Sequence, residues 1–122
     1  MRKLQIAENS TIEMMSPELL FLGKSGQPYR GTLYIHFVSA GRTIELPDFK
    51  KYITSLRNKV FMAEDISREI YKTLWLHIGI GEGPKTKIGV VVDLTGRGGI
   101  QQTISHGEPF TPNRNKNKIF QL

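Results

Sequence analysis

Cysteine is absent from this chain of 122 residues. Within this sequence, its absence excludes a disulfide scaffold, zinc or iron–sulfur centres held by thiolates, and a thiol nucleophile. Histidine is scarce as well. The three histidines are scattered and show neither the H-x-x-x-H nor the H-x-H spacing of a zinc site, so we predict no metal centre.

Long hydrophobic runs are also lacking. The longest one surrounds Val90–Val92 and is far shorter than the ~20 residues that a helix needs to span a bilayer. The basic residues at the start of the chain are not followed by the apolar stretch of a signal peptide. We therefore expect a cytoplasmic protein that does not contact the membrane.

The composition is that of an ordinary globular protein, with 39% hydrophobic and 23% charged residues. Lysine and arginine number 17 against 11 aspartate and glutamate residues, and the resulting net charge of +6 favours anionic partners such as nucleotides, nucleic acid or a phosphorylated cofactor. The length suits one domain. We expect an N-terminal segment over residues 1–15, a folded domain over 16–106 and a basic tail over 107–122.

Four strands and two helices are predicted, in the order ββααββ. The β-branched and aromatic residues of Thr32–Val38 favour a strand, and apolar residues recur at helical spacing from Phe49 to Leu56. Helices placed between two hairpins imply an α+β fold, with an antiparallel four-stranded sheet and both helices on one face. The predicted strands are 18–22, 32–38, 85–94 and 100–105, and the predicted helices begin at Pro47 and at Ala63 or Glu64, the second ending at His77.

Two surfaces of this predicted fold suggest partners. A lone four-stranded sheet leaves its edge strands unpaired, so we expect a homo-oligomer in which edges pair between subunits. The Asn- and Lys-rich stretch 113–118 indicates an extended or mobile tail. Its cations, Arg114, Lys116 and Lys118, would suit contact with nucleic acid or with another acidic partner.

Two clusters are candidates for ligand binding. Glu64 and Asp65 stand at the predicted start of the second helix, where acids commonly act as caps. A carboxylate at such a corner also suits the two N–H donors of a guanine-like edge. The second cluster, Arg97-Gly98-Gly99, is either an ordinary hairpin turn or a place where backbone and guanidinium approach an anion closely.

Several motifs in register resemble the QueF family of NADPH-dependent 7-cyano-7-deazaguanine reductases, which act in queuosine biosynthesis. The resemblance runs from about Ser16 to Phe120. It implies the tunnelling fold (T-fold) and assembly into an oligomeric ring. The motifs that carry it are Gly26-Gln27-Pro28, Gly31-Thr32, Tyr52-Ile53-x-Ser55-Leu56-Arg57-Asn58, Glu64-Asp65 and Thr95-x-Arg97-Gly98-Gly99.

The resemblance also implies roles for individual residues. Glu64 matches the glutamate that anchors the deazapurine substrate. Glu45, Lys50 and Lys51 match part of the signature linked to NADPH, in which Pro47 replaces a usual lysine. The turn Arg97-Gly98-Gly99 matches a turn near the cofactor and the subunit boundary.

The chain departs from the family pattern at the residues that perform the reaction. The family's nucleophilic cysteine falls at Leu22 or Gly23, its acidic aspartate at Tyr29, and its substrate-side histidine at Ala63. Leucine and glycine have no atom that attacks a nitrile carbon, and tyrosine, with a pKa near 10, is a poor proton donor.

We therefore expect a QueF-like protein that binds a 7-deazaguanine or purine-type ligand without forming a thioimide. Two alternatives stay open. In the first, a non-catalytic structural or interaction protein reuses the oligomeric fold to contact nucleic acid or an acidic partner. In the second, an active reductase with a relocated mechanism uses NADPH, with Lys24 or Ser25 replacing the thiol.

Overall fold

The computed structural model describes residues 3–5, 10–38, 42–79 and 87–114, and in these ranges the chain forms six strands and two α-helices. The helices are α1 (Leu46–Ser55) and α2 (Ile66–Leu74). The strands are β1 (Lys3–Gln5), β2 (Thr11–Leu22), β3 (Pro28–Val38), β4 (Arg42–Ile44), β5 (Lys87–Thr95) and β6 (Gln101–Gly107).

Four of the strands form one antiparallel sheet in the order β2–β3–β5–β6. With α1 and α2 between its two hairpins, this arrangement confirms the predicted α+β fold and its ββααββ order. The short strands β1 and β4 pair with each other in a separate two-stranded sheet. They were not predicted, because three residues are too few to show the alternation that marks a strand.

The strand β2 is longer than predicted. It begins at Thr11 instead of Glu18, so it also crosses the predicted domain boundary at residue 16. The pairing with β3 is irregular between Ser16 and Leu19, around Pro17. Proline has no N–H for a regular ladder and is tolerated at a bulge, so the strand continues past a residue that the sequence pattern treats as a boundary.

Both helices pack on one face of the sheet and enclose the core. In α1, Phe49 and Ile53 are buried, and in α2, Ile66, Ile70 and Leu74 are fully buried. A short 3-10 turn, Ala63–Asp65, precedes α2, and a π turn, Trp75–Gly79, follows it. The regular α-helix therefore ends at Leu74, and the chain stays helical as a π turn past the predicted end at His77. The sheet contributes Leu19, Phe21, Leu33, Ile35, Phe37, Ile88, Val90, Val92 and Leu94 to this core.

The opposite, helix-free face of the sheet carries residues 108–114, which we call the C-terminal segment. The backbone N–H of Glu108 donates to the carbonyl of Ile88 at 2.7 Å, and the ring of Phe110 stacks on His36 with 5.2 Å between centroids. This segment is therefore packed on the domain, although composition predicted a tail after Gly107. Lys116 and Lys118, the other cations of that prediction, lie outside the described residues.

None of the helices in the described ranges has the length and hydrophobicity needed to cross a lipid bilayer.

Candidate functional site

The two positions matched to the family's nucleophile lie where β2 ends, at Leu22, and where the loop to β3 begins, at Gly23. Gly23 opens this loop, and its N–H donates to the carbonyl of Gln27 at 2.8 Å. The N–H of Gly26 donates back to the carbonyl of Gly23 at 2.9 Å, with Gly26 at a φ of 82° that favours glycine. The loop is thus a closed turn in which Gly23 is buried and Leu22 is half-buried.

The side chain of Tyr29 occupies the space beside Gly23. A Cβ atom on Gly23 would lie 2.8 Å from Tyr29 Cε2 and 2.8 Å from Gln27 Cδ, closer than real contacts allow. The tyrosine ring is held there because it stacks on Phe21, with 5.3 Å between centroids and 14° between planes. A side chain at position 23 is therefore excluded while Tyr29 and Gln27 keep these positions.

Backbone hydrogen bonds join Leu22 to the segment that leads to Glu64. The N–H of Leu22 donates to the carbonyl of Lys59 at 3.0 Å, and the N–H of Phe61 donates to the carbonyl of Leu22 at 2.8 Å. The ring of Phe61 meets Phe21 edge to face at 5.9 Å. The structure thus brings the matched nucleophile position close to the segment before the matched substrate anchor.

Glu64 lies in the 3-10 turn before α2, and its side chain is exposed. Asp65 precedes α2 but makes no capping hydrogen bond with its side chain; its carboxylate faces Arg68 at 3.6 Å. The predicted role of this pair as helix caps is therefore not observed in the structure. The carboxylate of Glu64 remains accessible to a ligand. At the matched histidine position, Ala63 is buried.

The turn Arg97–Gly99 connects β5 to β6. Gly98 and Gly99 have φ values of 78° and 75°, and the N–H of Gly96 donates to the carbonyl of Ile100 at 3.0 Å. Gly96 packs against Tyr29, since a Cβ atom there would lie 2.9 Å from the tyrosine ring. The ring of Tyr29 thus lies between the two hairpin loops. The side chain of Arg97, predicted to bind an anion, lies outside the described part of the structure.

The residues matched to the NADPH signature lie on α1. Lys50 and Lys51 are exposed on the helix, and the carbonyl of Glu45 accepts a hydrogen bond from the N–H of Phe49 at its start. Leu22 instead adjoins Lys59, beyond the other end of α1. A helix of ten residues is about 15 Å long, so the chain does not bring Glu45 beside Leu22.

Sequence reasoning missed the cleft between the two hairpin loops. This cleft has a volume of about 500 Å³ and is lined by Ser25, Gly26, Gln27, Pro28, Arg30, Thr95 and Gly96. Thr95 begins one of the motifs that carry the family resemblance, whereas Arg30 belongs to none of them, and no motif places the two residues together. The signal that would have found them is the strand pairing, which sets Arg30 opposite Thr95 in the sheet.

A second missed feature is an ion pair on the helix-free face. Arg114 donates to both carboxylate oxygens of Asp93, at 2.7 and 3.0 Å, and the hydroxyl of Thr103 donates to the same carboxylate at 2.8 Å. Hydrogen bonding from Arg114 is the main reason why the pKa of Asp93 is lowered. The guanidinium also lies over the ring of Tyr34, 5.9 Å from its centroid.

Within the described ranges, the structure shows no group of three or more histidine, aspartate or glutamate side chains that could hold a metal ion.

Comparison with known proteins identifies the relatives. The family model described as "QueF-like protein" matches residues 28–109. A protein of Chlorobium phaeovibrioides is 31% identical over 98 residues, which cover 80% of each chain. One of Wolinella succinogenes is 33% identical over 92 residues, covering 69% of this chain and 74% of the relative.

Both relatives carry the name NADPH-dependent 7-cyano-7-deazaguanine reductase, as does a protein of Chlorobaculum parvum that is 33% identical over 96 residues. These matches confirm the resemblance that the motifs indicated. With its α+β fold, its two hairpins flanking two helices and a family match over two thirds of its length, the chain belongs to the QueF-like family.

Proposed function

We propose that this protein binds a 7-deazaguanine or related purine through Glu64 without forming a thioimide from a nitrile. The observation that carries the proposal is the state of the matched nucleophile position. Leu22 offers no nucleophilic atom, and the space at Gly23 is filled by Tyr29 and Gln27. The anchoring carboxylate, by contrast, is present and exposed.

The binding step follows from the chemistry of a carboxylate. Ionised Glu64 would accept two parallel N–H bonds from the amino-pyrimidinone edge of a deazaguanine, a charge-assisted contact about twice as strong as a neutral one. Its position before α2 places it beside a packed helix and not on a free loop. The turn is therefore held in place before the ligand arrives, which reduces the entropy cost of binding.

The protein lacks the two groups that the family's covalent step requires. The family route needs a thiolate to attack the nitrile carbon and an acid to protonate the nitrogen. Ser25 is no substitute, because its hydroxyl donates to the side chain of Gln27. His36 in β3 pairs with Gly89 and His106 in β6 pairs with Val90, so both histidines lie at the end of the sheet away from the loop of Ser25. Activation of Ser25 by either of them is therefore not supported.

The relatives are NADPH-dependent by name, so NADPH is the cofactor to test. NADPH would be held by Glu45, Lys50, Lys51 and the turn Arg97–Gly99, and it would supply a hydride for reduction. Within one chain these residues fall in two places. Glu45 is separated from Leu22 by the length of α1, whereas the turn Arg97–Gly99 follows Gly96, which packs against Tyr29 beside Gly23. A neighbouring subunit would have to bring the residues of α1 to the hairpin loops.

We extend the proposal to a homo-oligomer for the same reason. The edge strand β6 is exposed along six of its seven residues and has an unpaired side in the described structure. Edges of this kind pair readily with another strand.

Isothermal calorimetry with 7-cyano-7-deazaguanine tests the proposed binding. We expect saturable heat with the natural sequence. Glu64→Ala should bind at least tenfold more weakly, because the ligand loses a charged hydrogen-bonding partner. Glu69→Ala is the matched control, since Glu69 is an exposed glutamate on α2, the helix that follows the turn of Glu64. Absence of heat with the natural sequence, or equal weakening by both variants, would contradict the proposal.

A second assay distinguishes the proposed binding protein from the alternative, an active reductase with a relocated mechanism. Loss of nicotinamide absorbance in a mixture of protein, nitrile and NADPH would favour the alternative. We expect the absorbance to stay constant, because no described residue near Gly23 is an activated nucleophile.

A further inference from the structure

The cleft between the two hairpin loops has the chemistry of an anion site. We infer that it binds the phosphate group of a small phosphorylated molecule, held chiefly by Arg30. This site is separate from Glu64 and does not depend on the binding of a deazapurine there. The charge of Arg30, the polar groups beside it, the fixed walls of the cleft and its volume all suit an anion.

The charge of Arg30 is not compensated within the described structure. Arg30 lies on the helix-free face opposite Thr95, and the next pair along these strands is Thr32 with Asp93. Diagonal neighbours in such a ladder lie roughly 7–8 Å apart, so the acids within reach of a long side chain are Asp93 on β5 and Glu18 on β2, two residues from the Leu20 that pairs with Arg30. Glu18 forms no ion pair with Arg30 among the described residues. Both oxygens of Asp93 are already bound by Arg114, and Thr103 donates to one of them.

The described groups beside Arg30 are neutral. Among the residues that the structure describes, the lining contains no aspartate or glutamate. The amide oxygen of Gln27 accepts a hydrogen bond from the hydroxyl of Ser25, and the side-chain NH2 group of Gln27 remains as a donor. Thr95 lines the opposite wall. In the described part of the lining, an anion therefore meets the cation of Arg30 and the neutral amide of Gln27, with no carboxylate to repel it.

The two walls of the cleft are fixed relative to each other. Tyr29 packs against Gly23 of one hairpin loop and Gly96 of the other, with both glycines leaving room for its ring. The ring is anchored on Phe21, which is fully buried. A binding site whose walls are set before the ligand arrives loses less entropy on binding.

The volume of the cleft indicates the size of the ligand. A volume of about 500 Å³ is larger than a single phosphate requires and lies within the range of small-molecule sites. The planar fork of arginine matches phosphate oxygens in a bidentate way. The net charge of +6 also raises the local concentration of anions. The class is therefore a phosphorylated metabolite or the diphosphate of a nucleotide.

Titration of the 15N-labelled protein with pyrophosphate at constant ionic strength tests the inference by NMR. We expect saturable shifts of the amides of Ser25, Gly26, Thr95 and Gly96. Arg30→Gln should weaken this binding at least tenfold, because a charged hydrogen bond is lost. Lys72→Gln is the matched control, since it removes an exposed cation from α2, and it should change the affinity less than twofold.

Absence of shifts in the cleft, or equal weakening by Arg30→Gln and Lys72→Gln, would overturn the inference. A parallel titration with ADP distinguishes the two sources of the phosphate. Tighter binding of ADP with additional shifted amides would assign the cleft to a nucleotide diphosphate. Equal affinity for ADP and pyrophosphate would assign it to a phosphorylated group alone. The spectrum of Arg30→Gln without ligand shows whether the variant is folded.

Discussion

The ring of Tyr29 lies so close to Gly23 that a Cβ atom on the glycine would stand 2.8 Å from Tyr29 Cε2. The matched family acid and one of the two matched nucleophile positions are thus in direct contact, and neither carries its reactive group. Stacking on Phe21 and packing against Gly96 hold the tyrosine in this place. This contact fills the space at the matched nucleophile position, and it also joins the two loops that form the anion cleft.

The tight contact predicts that Gly23→Ala destabilises the fold. We expect the free energy of unfolding to fall by about 1–3 kcal/mol, the usual cost of forcing a methyl group into a packed space. The cost should shrink in a Tyr29→Ala background, where the ring is removed. Urea denaturation of the two single variants and the double variant measures the coupling. Additive effects of the two substitutions would show that the glycine and the tyrosine do not constrain each other.

The pair Asp93–Arg114 predicts a dependence of stability on pH. Hydrogen bonds from Arg114 lower the pKa of Asp93 in the folded protein below its unfolded value of about 3.9. A lowered carboxyl pKa adds stability at neutral pH, and this stability is lost as the pH falls below about 4 and through the folded pKa. Because the pair is partly exposed, we expect about 0.5–1 kcal/mol.

The variant Arg114→Ala isolates this effect. The difference in unfolding free energy between the natural sequence and the variant should be largest near neutral pH and should diminish towards pH 3. Hydrogen exchange should also show faster exchange of the amide of Glu108, because the C-terminal segment loses one of its attachments. A difference that is the same at all pH values would contradict the assignment to this carboxylate.

Two glycines at positive φ should respond differently to alanine. Gly107 has a φ of 87°, and a Cβ there would lie 2.3 Å from the carbonyl oxygen of Ile88 and 2.6 Å from the ring of Tyr71. Gly98 has a φ of 78° but open space around it. We expect Gly98→Ala to cost about 1 kcal/mol from backbone strain alone and Gly107→Ala clearly more. Similar losses in thermal unfolding would show that the contacts at Gly107 relax freely.

The order of the main elements could be predicted because each carries a local pattern. The apolar spacing from Phe49 predicts a helix, and the β-branched run Thr32–Val38 predicts a strand. The structure has both, as α1 and β3. The start of β2 could not be predicted, since the sequence gives no sign that pairing with β3 continues past Pro17. Such pairing is settled by the partner strand, not by local propensity.

The site was harder to predict than the fold. The family motifs identified Glu64 and the departures at Leu22, Gly23 and Tyr29, but no pattern indicates that Tyr29 fills the space at Gly23. The contact of Arg114 with Asp93 joins residues 21 positions apart, and composition alone suggested a solvated tail there. Long-range contacts of this kind depend on the turn at Gly107, which reverses the chain onto the sheet.

Intact-protein mass spectrometry after equilibration with 7-cyano-7-deazaguanine tests the central claim most directly. The ligand is added at a concentration at which calorimetry shows saturation, and the protein is then denatured. The account predicts that the ligand is released and the mass of the chain is unchanged, because no residue at positions 22 and 23 forms a thioimide. A chain heavier by the mass of the nitrile would contradict it.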